Sequence, residues 1–408
     1  MKTRHLLIIL ILPFYSILAQ DNLLNTILEN HADSLVKSIL IESDKYKVQI
    51  VYTRIDRNES QEPSLNTYLL HEENDEYFYP ASSVKFPAAL VAMEKLNELN
   101  IDGLNKYSPL AIDSVYSGQS KVESDTTAEN KMPSIAHYIK KILLVSDNEA
   151  YNRIYEFCGI DYLNETLWQK GYEDVRLNHR LSIFLSDDAN RNTNPFTFYK
   201  QDGIIYSQPA AEGIVSFAKK YKNNQLGVGY YSGGKLINKP MDFSRKNYFS
   251  LSDQHEILKA VIFPEAIETS RQFNLTDEDY DFLYRNMIYY PREAGYPKYD
   301  PEHYPDYYAE FFAFDKSNFN IRTLGKSGLA YGFLIDNAYV IDLEKNIEYL
   351  LTATIHVNSD GIYNDDQYEY DNIGLPFMRG ISEAIYKYEI ERERLNSPDL
   401  SKFENYIK

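Results

Sequence analysis

Cysteine is almost absent from this 408-residue chain: Cys158 stands alone, so no intrachain disulfide can form. The eight histidines are scattered with no H-x-x-x-H pair, which removes the usual route to a hydrolytic metal centre; no metal or other cofactor is expected. Positive charge is short too. The 42 Lys and Arg residues face 60 Asp and Glu residues, a formal net charge of −18. A nucleic-acid partner needs a basic face, so that class is excluded, and the acidity serves solubility. Long apolar runs are confined to residues 6–18, and no internal repeat is visible.

That one run has a purpose. Lys2 and Arg4 precede it, Pro13 interrupts it, and Ala19 ends it before Gln20-Asp21. It is shorter than the roughly 20 residues needed to cross a bilayer, so it reads as a secretory signal peptide over residues 1–19. No stable membrane insertion is expected. The low cysteine count fits a bacterial periplasm, or secretion, better than a disulfide-rich module. The core reading of Cys158 is a small buried side chain at the end of a helical pattern.

What the chain does contain is three short strings in order: Ser82-Ser83-Val84-Lys85, Ser146-Asp147-Asn148 and Lys326-Ser327-Gly328. They straddle most of the sequence and must converge, which predicts one body with two interdependent lobes. Leu24, Leu28, Leu35 and Ile39 predict an amphipathic N-terminal helix, and residues 48–55 and 65–70 a β-hairpin. Residues 102–268 read as largely helical with long loops, including helices over 135–145 and 150–157. Residues 338–343 and 347–357 read as strands and 375–388 as a closing amphipathic helix. Strands at both ends around a helical middle predict an α/β (α+β) architecture. The sheet lobe spans about 20–80 and 315–395, and the helical lobe about 81–314 with insertions. Residues 396–408 read as a charged, solvated tail. Residues 280–308 are dense in tyrosine, whose flat amphipathic rings suit both packing and the wall of a substrate groove.

Ser-x-x-Lys alone says little, since Ser34–Lys37 and Ser232–Lys235 share it. Ser82 differs in context. It opens a helix after Pro80, the helix N-terminus favours negative charge, and the i,i+3 spacing puts Lys85 on the serine's own face. A desolvated lysine near a second cation loses its proton readily and takes one from the serine. Ser146 is placed to relay a proton to a leaving nitrogen and Asn148 to hold a substrate amide, although Ser, Asp and Asn also cap helices. Lys326 adds positive potential, Ser327 suits a substrate carboxylate, and Gly328 lets substrate approach the backbone. A phosphate-binding P-loop is ruled out because its first glycine would fall at residue 320, which is Asn.

Jointly, the three strings resemble those of the penicillin-recognising serine hydrolases, specifically the class A β-lactamase branch, over most of the chain from N-terminal to C-terminal helix. The resemblance implies a β-lactamase/transpeptidase-like fold: a five-stranded antiparallel sheet built from both chain ends plus an inserted all-α lobe. It implies Ser82 as acylated nucleophile, Lys85 as its base, Ser146 and Asn148 lining the cleft, and Lys326 and Ser327 facing them. The backbone N–H groups of Ser82 and Leu329 would form the oxyanion hole. Three departures stand out. The family's deacylating glutamate follows an Arg-Leu-Asp-like stretch; Arg176-Leu177-Asn178 matches it, and Leu181 then occupies the glutamate position. His179, Asp187 and Asp188 are the nearby candidate substitutes. The carboxylate-binding arginine on the strand after the third string is missing from residues 331–337, and extra sequence lies around 192–253.

Three functions follow. The first is an exported serine hydrolase that opens a β-lactam or other amide through acylation of Ser82. The second is a cell-wall D-alanyl peptidase or transpeptidase acting on peptidoglycan peptides. The third is a catalytically retired penicillin-binding receptor, which would bind ligand without a covalent adduct.

Overall fold

The computed structural model describes residues 15–71, 76–116, 120–201, 203–217 and 221–407. The expected leader, residues 1–19, lies outside the described residues apart from its last five, of which only the backbone is described. The chain begins with α1 (Tyr15–His31) and α2 (Ser34–Ile41), then β1 (Gln49–Arg57) and β2 (Pro63–Leu70). A 3-10 turn at Ala81–Val84 leads into α3 (Lys85–Leu99); α4 (Ile135–Val145) and α5 (Asn148–Cys158) follow. Further on come α6 (Leu251–Ile262), α7 (Asp277–Ile288), β3 (Ile321–Gly325), β4 (Gly328–Ala330), β5 (Phe333–Asp342) and β6 (Ile347–His356). The chain closes on α8 (Leu375–Glu391) and α9 (Ser401–Ile407).

The principal sheet is antiparallel throughout, in the order β3/β4–β5–β6–β1–β2. Both β3 and β4 pair with β5, so they form one edge strand interrupted at Lys326-Ser327. Central β5 is buried along its whole length and β6 nearly so, because helices cover both faces. On one face α1, α2 and α8 build a core with Leu24, Val36, Leu351, Phe377 and Ile381. On the other, α3 to α7 build the second core through Leu90, Ile139, Ile154, Leu258 and Leu350. The three short strings lie along the seam between this helical lobe and the edge strand.

Three expectations need correction. The single N-terminal helix is two, because the Asp33 carboxylate accepts the Val36 N–H at 2.8 Å and starts α2 afresh. The apolar rhythm runs through the break since both helices pack on one core. The 102–268 stretch is less helical than expected: the described residues of 192–249 hold short strands and no helix, among them a hairpin of Phe196–Lys200 with Gly203–Gln208. The tail is not solvated. Leu400 and Phe403 are buried in the helical-lobe core, and Arg392 and Arg394 pair with buried Glu389. Alternating charge on the exposed positions hid these two apolar anchors.

Candidate active site

Ser82 sits in the 3-10 turn that precedes α3, and Lys85 is the first residue of that helix. The turn is held by Ser83, whose N–H and hydroxyl both donate to the Pro80 carbonyl at 3.1 and 2.7 Å. Ser83 is therefore structural, while Ser82 beside it is half-buried. The two other Ser-x-x-Lys pairs lie elsewhere, one along α2 and one in the turn after Gly229–Ser232.

Ser146 is the junction of the site. It ends α4 in a left-handed conformation at φ +57°, a strained geometry for a non-glycine residue. Lys326 Nζ donates to its hydroxyl at 2.8 Å and Lys85 Nζ at 3.1 Å; Lys85 also reaches its carbonyl. Asp147 caps α5 by accepting the Ala150 N–H at 2.8 Å and pairs with Lys141 at 3.4 Å, which pins the turn. Two lysine amines thus converge on one hydroxyl from opposite lobes. Burial and the neighbouring Lys326 charge hold Lys85 well below the usual lysine range, and burial brings Lys326 down to about 7.

Gly328 brings the edge strand onto the turn that carries Ser82. A Cβ placed there would meet Ser82 N at 2.5 Å and Ser83 N at 2.9 Å, so only glycine permits this approach. The Lys326 N–H bonds the Asn337 carbonyl at 2.9 Å, and Gly328 pairs with Ile335. In an antiparallel ladder the bonds alternate, which turns the Leu329 N–H away from β5 toward the open edge. The N–H groups of Ser82 and Leu329 consequently lie at the same junction of turn and edge strand. The Leu329 side chain itself is exposed.

Two expected substrate contacts are occupied by protein. Ser327 is 2 % exposed and its hydroxyl donates to the Ala309 carbonyl at 2.5 Å, so the segment after the tyrosine block covers it. Asn148 Nδ2 donates to Ser182 Oγ at 2.7 Å, tying α5 to the loop that follows Arg176.

The profile of the Beta-lactamase enzyme family matches residues 32–388. This chain belongs to that family. Its members' chemistry makes it a serine hydrolase, in accord with the geometry around Ser82. No curated protein sequence matches it. Among solved structures, a β-lactamase from Sphaerobacter thermophilus DSM 20745 is similar with TM-score 0.46 and 11% identity, covering 87% of this chain and 97% of that one. A β-lactamase from Burkholderia phymatum gives TM-score 0.49 and 13% identity over 88% and 99%. A mutant of PBP-A, as its acyl-enzyme complex with penicillin G, gives TM-score 0.45 and 14% identity over 87% and 95%.

In this β-lactamase-family hydrolase the loop at 176–192 carries no carboxylate directed at the lysine pair. Leu181 is buried in the helical-lobe core, and Asn152 on α5 clamps its backbone, accepting its N–H at 2.8 Å and donating to its carbonyl at 3.0 Å. Asp187 pairs with Arg245, and Asp188 accepts the Tyr116 hydroxyl at 2.6 Å; both are exposed. His179 stacks on Tyr79, its Nδ1 is 2.6 Å from the Arg180 carbonyl, and burial lowers its pKa to about 4. It is a neutral ring whose Nε2 is shielded from solvent and has no hydrogen-bond partner among the described residues. The loop is anchored by Arg180, buried and 2.9 Å from Glu156, which also binds Arg153 at 3.1 Å.

Asn152 and Glu156 were missed in the sequence, although each lies one further turn along α5 from Asn148 and faces the same loop. The tyrosine block divides. Tyr280 and Tyr284 pack near Phe403, Tyr290 is buried against Tyr307, and Tyr299, Tyr304 and Tyr308 form an edge-to-face ladder at 5.1 Å spacing. Cys158 is a core thiol whose pKa burial raises to about 12.

Proposed function

We propose that this protein is an exported, class A-type hydrolase that opens a β-lactam or a related amide by acylating Ser82. In this reading Ser82 Oγ attacks the carbonyl carbon and Lys85, neutral, takes the hydroxyl proton. The oxyanion lies between the N–H groups of Ser82 and Leu329, an arrangement in which losing one donor costs about 2.7–4 kcal/mol. The proton on Lys85 passes through Ser146 Oγ to the leaving nitrogen, the C–N bond breaks, and an ester remains on Ser82. Lys326 stays charged and orients the Ser146 hydroxyl. The observation that carries the reading is the shared hydrogen bonding of Lys85 and Lys326 to that one hydroxyl. Export to the periplasm or beyond rests on the basic-apolar-small pattern of residues 1–19.

A second reading, a cell-wall D-alanyl peptidase or transpeptidase, is favoured by Leu181. A buried leucine stands where the resemblance calls for the deacylating glutamate, so the ester outlives its formation and a peptide amine can compete with water. Turnover of a chromogenic cephalosporin by the wild type and by Ser82→Ala tests the lead reading. Loss of turnover in the variant supports it; equal rates overturn it. A penicilloyl adduct that persists for hours without turnover selects the second reading.

A further inference from the structure

On the side of Ser146 where the leaving group departs, the fold closes what would be the seat of a substrate carboxylate. Four consecutive residues, 309–312, lie across the edge strand, and each is pinned. The Ala309 carbonyl accepts the Ser327 hydroxyl at 2.5 Å. The Glu310 side chain turns inward to Thr323 on β3, and both line an enclosed cavity of about 20 Å³. The Phe311 and Phe312 N–H groups donate to the Asp336 carboxylate at 2.8 and 3.1 Å, and both rings are buried in the core under α1, α2 and α8. Beneath this strap Ser327 and Lys326 are each 2 % exposed. A bound carboxylate needs free donors and a positive charge. Ser327 offers neither, because its one hydroxyl proton is committed to Ala309. Gly325 pairs with Ala338 and Gly328 with Ile335, which sets Ser327 opposite Asp336 on β5. The neighbour across the ladder is thus a carboxyl, and in either protonation state it supplies no cation. Lys326 spends two of its three N–H groups on the Ser146 hydroxyl at 2.8 Å and the Ser327 carbonyl at 2.6 Å. The outer side of the strap is aromatic instead: Tyr308, next to Ala309, is 44 % exposed and ends the ladder with Tyr304 and Tyr299.

We propose that the 309–312 strap makes this site selective for amides whose leaving group carries no carboxylate. The inference names the substrate class of the acylation reading and rests on it. The covalent step is unchanged: the bond from Ser82 Oγ to the carbonyl carbon forms, the C–N bond breaks, and the hydroxyl proton ends on the leaving nitrogen. What differs is recognition around that nitrogen. A substituent there meets a serine capped by a carbonyl and an exposed tyrosine ring, surfaces that favour a neutral group over an anion.

The test compares benzylpenicillin with its methyl ester, which differ only at that carboxylate. The second-order rate of Ser82 labelling is followed by intact mass, and each rate is divided by the compound's own hydrolysis rate in alkali to remove intrinsic reactivity. A site that binds the carboxylate favours the acid by about tenfold or more, the worth of one charge-assisted hydrogen bond. The strap predicts a ratio below that, near one; an acid preference of about tenfold or more overturns the proposal. Asp336→Ala frees the two strap amides, and hydrogen exchange at Phe311 and Phe312 reports the release. The acid is then expected to gain about threefold or more relative to the ester through access to the Ser327 hydroxyl. An unmoved ratio with both amides exchanging freely overturns the assignment to the strap. If the variant does not fold, or its amides stay protected, the wild-type ratio decides. Labelling by neither compound overturns the acylation reading and the inference with it, whereas labelling that favours the acid overturns the inference alone.

Discussion

A tight constraint in the site is the space above Gly328, and Gly328→Ala probes it. The added methyl would lie 2.5 Å from Ser82 N and 2.9 Å from Ser83 N, where a real Cβ essentially never comes closer than 3.0 Å. Turn and strand must therefore part by at least about 0.5 Å, since 3.0 − 2.5 = 0.5. Both contacts are backbone atoms, which cannot swing aside as a side-chain end does. A displacement of that size is the whole tolerance of a working catalytic geometry, and it spreads the two N–H groups that face the developing oxyanion. Loss of one such donor corresponds to a 10²–10³-fold fall in acylation rate, about 2.7–4 kcal/mol. Overpacking costs about 1–3 kcal/mol of stability as well. The assay is the second-order acylation rate with a fluorescent penicillin, beside a thermal melt. Leu329→Ala is the control, because it trims an exposed side chain and keeps the N–H in place. Acylation of Gly328→Ala within threefold of wild type would refute the reasoning, whatever the melt shows.

Ser146→Ala removes the acceptor shared by Lys85 and Lys326, and acylation is expected to fall roughly 10²-fold or more as the proton relay is cut; stopped-flow labelling measures it. Glu156→Gln leaves Arg180 buried without its anion and Arg153 with Glu149 alone, a loss of about 3–5 kcal/mol visible in urea denaturation. Phe403→Ala is expected to cost about 3–5 kcal/mol because the ring is buried beside Tyr284 and Tyr339; an unchanged melt would restore the view of a solvated tail.

Much of this was legible from residue order. The hairpin of β1 and β2, the helices α4 and α5 and the final α8 show the apolar periodicity their burial demands. The three strings placed Ser82, Lys85, Ser146 and Lys326 in one site because each carries chemistry that a helix end or an edge strand must present. Strand β5 was found only in part, since Asp336 and Asn337 look like loop residues. They are buried, and their polarity is met by Phe311, Phe312 and Gln254, partners that are distant in sequence. For the same reason the covering of Ser327 by Ala309 and the clamp of Asn152 on Leu181 were invisible: both are contacts between segments with no local signature. The break between α1 and α2 had a signal, Asp33, which continuous hydrophobic spacing outweighed.

The claim on which the account stands is that Ser82 forms an ester with its substrate. Intact-protein mass measured after brief exposure to penicillin G, followed by peptide mapping, addresses it without any need for turnover. The prediction is a gain of one penicillin per chain, carried by the peptide containing Ser82 and absent from Ser82→Ala. An unmodified wild type, or an equal adduct on the variant, would contradict it.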